Sequence, residues 1–155
     1  MNGLVKGNSK EAACGVVFRE FNGAFKGCFA MLLGLHSSFY AEIFGIIVTI
    51  EEAANIGWQY VWFESDSTVA LSCLQNPRFA PLLCIYNRWI NYRTLIKNMV
   101  FRCSHIFREE NSVVDCLAIL DLSCFMYTWW DKPPIAIRKK LFDDAWGYPK
   151  YHFIT

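Results

Sequence analysis

Tyr60-Val61-Trp62-Phe63-Glu64-Ser65-Asp66-Ser67 decides the fold of this chain. Tyr60 to Glu64 is rich in aromatic and β-branched residues, a composition that suits a pleated strand. Ser65, Asp66 and Ser67 end the run, and Val69, Ala70, Cys73 and Leu74 then follow at helical spacing. An acid therefore sits where a strand stops and a helix starts. In open α/β sheets, ligands gather beyond the carboxyl ends of strands, so Asp66 is a first candidate functional residue.

Upstream, Ala13 to Glu20 and Ala24 to Leu35 flank Asn22-Gly23, a hairpin turn that wants positive φ. Ser37 and Ser38 offer N-caps to a helix from about Phe39 to Ile56, with Gly57 as its stop. Ile43, Ile46, Ile47, Ile50 and Ala54 form its apolar stripe, and Glu42, Thr49 and Glu52 fall off it. Downstream, residues 82 to 97 read as an amphipathic helix, Met99 to Phe107 as a strand, and Asn111 to Ser123 as a core helix. Ile135 to Trp146 closes the chain as a short amphipathic segment after Pro133-Pro134. The order is hairpin, helix, strand, helix, strand, helix, which predicts a mixed α/β sheet with helices packed on it. The expected division is one domain over 1–123 and a C-terminal tail over 124–155.

Bulk properties agree with one domain. The chain has 155 residues, 54% of them hydrophobic and 19% charged, enough apolar side chain for a real core and too much for a disordered chain. No apolar run reaches the ~18 residues a transmembrane helix needs, so no membrane partner is expected. Seven cysteines, an odd set without a C-x-x-C pair, predict reduced thiols rather than a disulfide framework, a disulfide-linked partner or a zinc site. The first residues show no secretory or transit pattern, so an intracellular protein without a targeting signal is expected. A net charge of +1 rules out a global basic footprint, leaving Lys6, Lys10, Arg88, Arg93 and Arg108 as local candidates for phosphate contacts.

Three carboxylates stand where periodicity alone does not require them: Glu42 in the first turn of a helix, Asp66 at the strand end, and Asp115 within the apolar helix. Asp115 lies among Val113, Val114, Cys116, Leu117 and Ala118, where an uncompensated charge would cost several kcal/mol. A divalent cation would compensate it, because hard ions such as Mg²⁺ take several oxygen ligands and a pair of them can clamp a phosphodiester. Taken singly, each acid also has a plainer role as a helix-end acid, a cap or a solvated side chain.

The wording around these acids carries a family resemblance. Phe39-Tyr40-Ala41-Glu42-Ile43 resembles the start of the first helix in ribonuclease H-like domains, and Phe63-Glu64-Ser65-Asp66-Ser67 resembles their E-S/T-D-S strand end. The string from Ser104 to Ala118, with His105 ten residues and Asn111 four residues before Asp115, resembles their V-x-H-V-x-R-E-x-N-x-x-A-D-x-L-A signature. With the Asn22-Gly23 hairpin and the Pro133-Pro134 tail, the chain resembles the plant retroelement-type, reverse transcriptase-associated branch. That resemblance implies an α/β, ribonuclease H-like mixed sheet and hydrolysis of the RNA strand of an RNA–DNA hybrid with two Mg²⁺ ions. It further implies that Glu42, Asp66 and Asp115 are metal ligands and that His105 assists proton transfer or product release. Asn2 and Asn111 would face the nucleic acid, Asn111 from behind the ligands.

The sequence departs from the family at its start. Lys6-Gly7-Asn8-Ser9 is similar to the family's K-G-N-P, which puts Asn2 where the family has its fourth carboxylate. A neutral amide oxygen in that place weakens a divalent site, which leaves a catalytically impaired binding or interaction module as the alternative function. The central first strand would largely precede Met1, so the chain is expected to begin upstream, with a decayed copy as the alternative. Residues 1–8 are accordingly expected to be irregular, with a gap or improvised pairing at the sheet centre.

Overall fold

In the computed structural model, which describes residues 2–6, 11–81, 83–107 and 127–146, the first three strands are antiparallel neighbours. β1 (Asn2–Lys6) pairs with β2 (Glu11–Arg19), and β2 pairs with β3 (Phe25–Leu35). The turn between β2 and β3 forms for the reason its residues give. Gly23 adopts φ +84°, which costs glycine little, and the Asn22 side chain accepts the Ala24 N–H at 2.9 Å.

α1 (Ser38–Ile56) starts where Ser37 accepts the Tyr40 N–H, and it stops at Gly57, whose φ of +87° places it in the left-handed region. Of the predicted stripe, Ile43, Ile46, Ile47 and Ile50 are buried, and Ala54 is half-buried. A side chain at position 57 would carry the left-handed strain of about 1–2 kcal/mol. Gly57→Ala is therefore expected to lose about that much stability, read as a lower urea midpoint at unchanged m-value.

The second half runs through β4 (Tyr60–Ser65), α2 (Thr68–Gln75), a 3₁₀ turn at Leu83–Ile85, α3 (Tyr86–Lys97) and β5 (Val100–His105). β4 and β5 are parallel, with Tyr60 opposite Val100 and Ser65 opposite His105. The helix expected from residue 82 is thus a 3₁₀ turn followed by α3. Ile85 stands at the N-cap of α3 with no side-chain oxygen to offer, so the α-helical ladder begins only at Tyr86.

One core joins the two halves. The isoleucines of α1 share it with Val16, Phe18, Phe29 and Met31 of the hairpin and with Val61 and Phe63 of β4. Trp89 and Tyr92 of α3 belong to the same cluster.

The expectation for residues 1–8 needs a correction in one part. Residues 2–6 are a regular strand, because the longer β2 offers Leu4 and Val5 a complete antiparallel ladder. The gap at the sheet centre is present: among the described residues no ladder joins the four-stranded sheet to the β4–β5 pair.

The segment expected as a tail contributes two elements. β6 (Tyr127–Trp130) pairs antiparallel with β3 and becomes the outer strand of the order β1-β2-β3-β6. α4 (Ile135–Trp146) buries Ile137 against Cys28 and Ala30. Those two residues alternate along β3 with Phe29 and Met31 of the main core, so α4 covers the sheet face opposite α1. Burial there pushes the Cys28 thiol up to about 12. Cys28, Cys73, Cys84 and Cys103 are free thiols. The core helix expected over 111–123 lies outside the described residues. Among those described, no helix is long and apolar enough to cross a membrane.

Candidate active site

The carboxyl ends of β4 and β5 and the first half of α1 meet at one corner of the molecule. At the end of β4, the Ser65 Oγ accepts the Ser67 N–H at 3.1 Å, a local side-chain turn that fixes the backbone of the residue between them, Asp66. Asp66 is half-buried, and the chain turns there from strand to helix as expected. Ser67 caps α2 by accepting the Ala70 N–H at 3.2 Å. Its hydroxyl in turn donates to Oε2 of Glu42 at 2.6 Å. One serine thereby ties the acid on α1 to the residue beside the acid on the β4–α2 turn.

Glu42 differs in placement from its sequence-based expectation. Because Ser37 caps α1 and the helix begins at Ser38, Glu42 lies beyond the first turn, where the field of the helix end has fallen away. The plain reading as a dipole-complementing acid loses its basis. What Glu42 does engage is the Ser67 hydroxyl, 25 residues away in sequence.

His105 joins the same corner through the sheet. It is the register partner of Ser65, and the next residue, Ile106, donates its N–H to the Ser65 carbonyl at 3.0 Å. The imidazole is exposed and meets the Phe107 ring edge-on at 5.7 Å between centroids. A cross-strand bond from the Trp62 indole N–H to the Ser104 hydroxyl, 2.7 Å long, keeps the two strand ends in register.

The backbone segments that carry Glu42, Asp66 and His105 are thus neighbours at this corner. Asn2 is placed by its backbone alone, on β1 opposite Gly15. Asn111 and Asp115 lie outside the described residues, and so do Lys10 and Arg108 of the candidate phosphate contacts. Arg88 is corrected in role: its guanidinium is bound to the Glu51 carboxylate and lies over the Phe44 ring, 4.6 Å from the centroid. The hydrogen bonds to Glu51 push its pKa up, and a cation so engaged is a strut between α1 and α3 rather than a phosphate ligand. Arg93 remains exposed on α3.

Ser67 was visible in the sequence only as part of the E-S-D-S string. Its signal was the position one residue before a helix, where serine is a preferred cap. Ser67→Ala removes both the cap and the Glu42 anchor. The expected result is a stability loss of about 1 kcal/mol and a loss of about 10–100-fold in any activity that needs Glu42 in place. Thermal melting beside single-turnover kinetics separates the two effects.

Glu42, held by Ser67, and Asp66, at the end of β4, carry hard oxygen donors, the donor type that Mg²⁺ prefers. Among the described residues, no three of His, Cys, Asp and Glu assemble into a metal-holding group; Asp115, the third acid of the expected set, falls outside them.

Comparison with known proteins places the chain in a family. A family model described as reverse transcriptase-like matches residues 1–120. A protein of Arabidopsis thaliana, provisionally named a ribonuclease H protein, is 28% identical over 154 residues, a match that covers 94% of this chain and 24% of the relative. The chain therefore spans about a quarter of that relative's length. Among solved structures, ribonuclease H1 from Halobacterium salinarum superposes with a TM-score of 0.67 at 23% identity, over 78% of this chain and 92% of the other. The LC11 ribonuclease H1 in complex with an RNA/DNA hybrid gives 0.64 at 20% identity, over 76% and 90%. The ribonuclease H domain of rv2228c from Mycobacterium tuberculosis gives 0.66 at 17% identity, over 78% and 88%.

Proposed function

The chain belongs to the reverse transcriptase-like family and has the α/β ribonuclease H-like fold, and on that premise we propose that it hydrolyses the RNA strand of an RNA–DNA hybrid at a divalent-metal site. The observation that carries the proposal is the Ser67 bridge, which sets Glu42 beside the Asp66 turn at the carboxyl end of β4. Glu42, Asp66 and Asp115 would hold the metal, with Mg²⁺ matched to their oxygen chemistry. A bound pair of such ions would supply Lewis acidity at the scissile phosphodiester.

The chain's own groups have distinct tasks in this reading. Glu42, held by the Ser67 hydroxyl, and Asp66, on the Ser65–Ser67 turn, would offer their carboxylates to the cation. His105, exposed at the end of β5, would move a proton at the departing oxygen. Asn111 would support the ligands from behind and face the nucleic acid. Choice of the RNA strand fits a site that can contact a 2′-hydroxyl, the group that distinguishes RNA from DNA.

Asn2 favours a second reading, a hybrid-binding module with impaired catalysis. Where the family resemblance calls for a carboxylate, this residue offers one neutral oxygen and no charge. A labelled RNA–DNA hybrid incubated with Mg²⁺ and either the native or the Asn2→Asp chain decides between them. The ribonuclease reading expects slow native cleavage and a gain of about 10–100-fold on restoring the acid. If both chains bind the hybrid and neither cuts it, the binding module is the correct function.

A further inference from the structure

At the end of α1 remote from Glu42, a cavity of about 610 Å³ opens between α1, β3 and β6. Glu52 on its wall is ten residues beyond Glu42, or about 15 Å along the helix, so the cavity is separate from the acidic corner. Its volume lies within the few hundred to about 1,000 Å³ typical of ligand sites.

The walls combine flat aromatic surface with oriented carboxylates. Trp129 packs against Phe18 with centroids 5.4 Å apart, and Trp58 meets the same phenyl ring at 5.7 Å. Gly27 lies directly beneath Trp129, close enough that a Cβ there would overlap the indole. The aromatic wall is therefore held in place before any ligand arrives. The Trp129 indole N–H donates to Oδ1 of Asp131 at 2.8 Å, and the Tyr127 hydroxyl donates to Oε1 of Glu52 at 3.2 Å. Each carboxylate is oriented through one oxygen; among the described residues, its other oxygen has no hydrogen-bond partner. Burial, and after it the charge of Glu52, pushes the Tyr127 phenol up, which keeps it protonated as that donor. At the rim Lys26 is bound by Glu20, and three acidic side chains against one lysine leave a formal excess of two negative charges.

We propose that this cavity binds the guanidinium of an arginine carried by a basic peptide segment of a partner protein. A guanidinium is planar, stacks on indole faces and donates in pairs to carboxylates, which matches the two tryptophans and the two half-satisfied acids. A nucleic acid is the wrong occupant, because the same carboxylates repel phosphates. The cavity does not hold a metal-type cluster of acids and histidines among the described residues. Surrounding the arginine, the exposed Ile56 and Tyr127 offer apolar area to the aliphatic stem and its flanking peptide.

The test uses the full chain and the peptide acetyl-Gly-Arg-Gly-amide, followed by the Trp129 indole N–H resonance. Saturable displacement of that resonance is expected, with the citrulline peptide weaker by about tenfold or more, because citrulline keeps the shape and loses the charge. Glu52→Gln and Asp131→Asn are each expected to weaken the arginine peptide by about tenfold. Equal binding of the citrulline peptide overturns the proposal, as does an unchanged displacement in both variants. Competition by spermidine as strong as that of the arginine peptide also overturns it, assigning the cavity to free polyamines. Should a variant lose its fold, the arginine–citrulline comparison on the native chain decides alone.

Discussion

Asp66→Asn is expected to lower cleavage of a labelled RNA–DNA hybrid by about 10²-fold or more, the scale on which removal of one preorganised electrostatic partner acts. The substitution keeps the shape of the side chain and the Ser65–Ser67 hydrogen bond that forms the turn, since that bond joins a serine hydroxyl to a backbone N–H. Ser67 would still cap α2 and still hold Glu42. What disappears is one negative charge at the place where the proposed site gathers a divalent cation, so the loss should fall on turnover and on the Mg²⁺ concentration needed for half-maximal rate. Hybrid affinity measured without Mg²⁺ should stay level or rise, because a carboxylate beside a phosphate backbone is repulsive. Single-turnover cleavage across a Mg²⁺ series, in the native and the Asn2→Asp backgrounds, checks this. Equal rates with and without the Asp66→Asn substitution in both backgrounds would mean that the acid is a structural turn residue and nothing more.

Phe18→Ala should be the most damaging single change to the fold, at about 3–5 kcal/mol. Phe18 is fully buried and touches Phe29 of β3, Trp58 after α1, and Trp129 of β6, with ring centroids 5.4 to 6.0 Å apart. It is the residue through which the hairpin, the end of α1 and the outer strand share one aromatic cluster. Removing the ring deletes its transfer free energy and opens a cavity that three large neighbours cannot fill without leaving their rotamers. Since native domains are stable by only about 5–15 kcal/mol, a loss of this size removes about a fifth or more of the total and can unfold the chain at 37 °C. Phe18→Leu, nearer in volume, should cost about 1–1.5 kcal/mol. Urea unfolding followed by tryptophan fluorescence measures both; a loss under about 1 kcal/mol for the alanine variant would show that the cluster repacks freely. Because the Trp129 wall of the arginine cavity rests on this ring, the alanine variant should also weaken peptide binding.

Elements whose cause is local were legible in the sequence. The Asn22-Gly23 turn, the Ser37 cap, the Gly57 stop and the isoleucine stripe of α1 appear where the residues predict them, because each depends on neighbours within a turn or two. The end of β4 at Asp66 belongs with them. Where partners are distant, reading failed or fell short. Tyr127 to Trp130 is aromatic enough for a strand, yet four residues form one only when an edge is available, and that edge is β3. Arg88 looked like a candidate for a phosphate because its binding partner, Glu51, is on another helix.

For the candidate site the division is the same. Sequence alone determined which residues to watch, since the acids Glu42, Asp66 and Asp115, and His105 beside them, sit in strings whose order and spacing are specific. It also determined the hairpin and helix ends, through φ requirements and capping chemistry that act within a few residues. Tertiary structure decided that Ser67 joins Glu42 to the Asp66 turn, that His105 lies in register with Ser65, and that Glu42 lies clear of the first helical turn. It also decided that an aromatic, acidic cavity forms at the far end of α1. These features depend on groups 25 to 75 residues apart meeting in one place, as Ser67 meets Glu42 and Tyr127 meets Glu52. Such meetings are settled by packing around a shared core, a condition on the whole chain that no short stretch of sequence encodes.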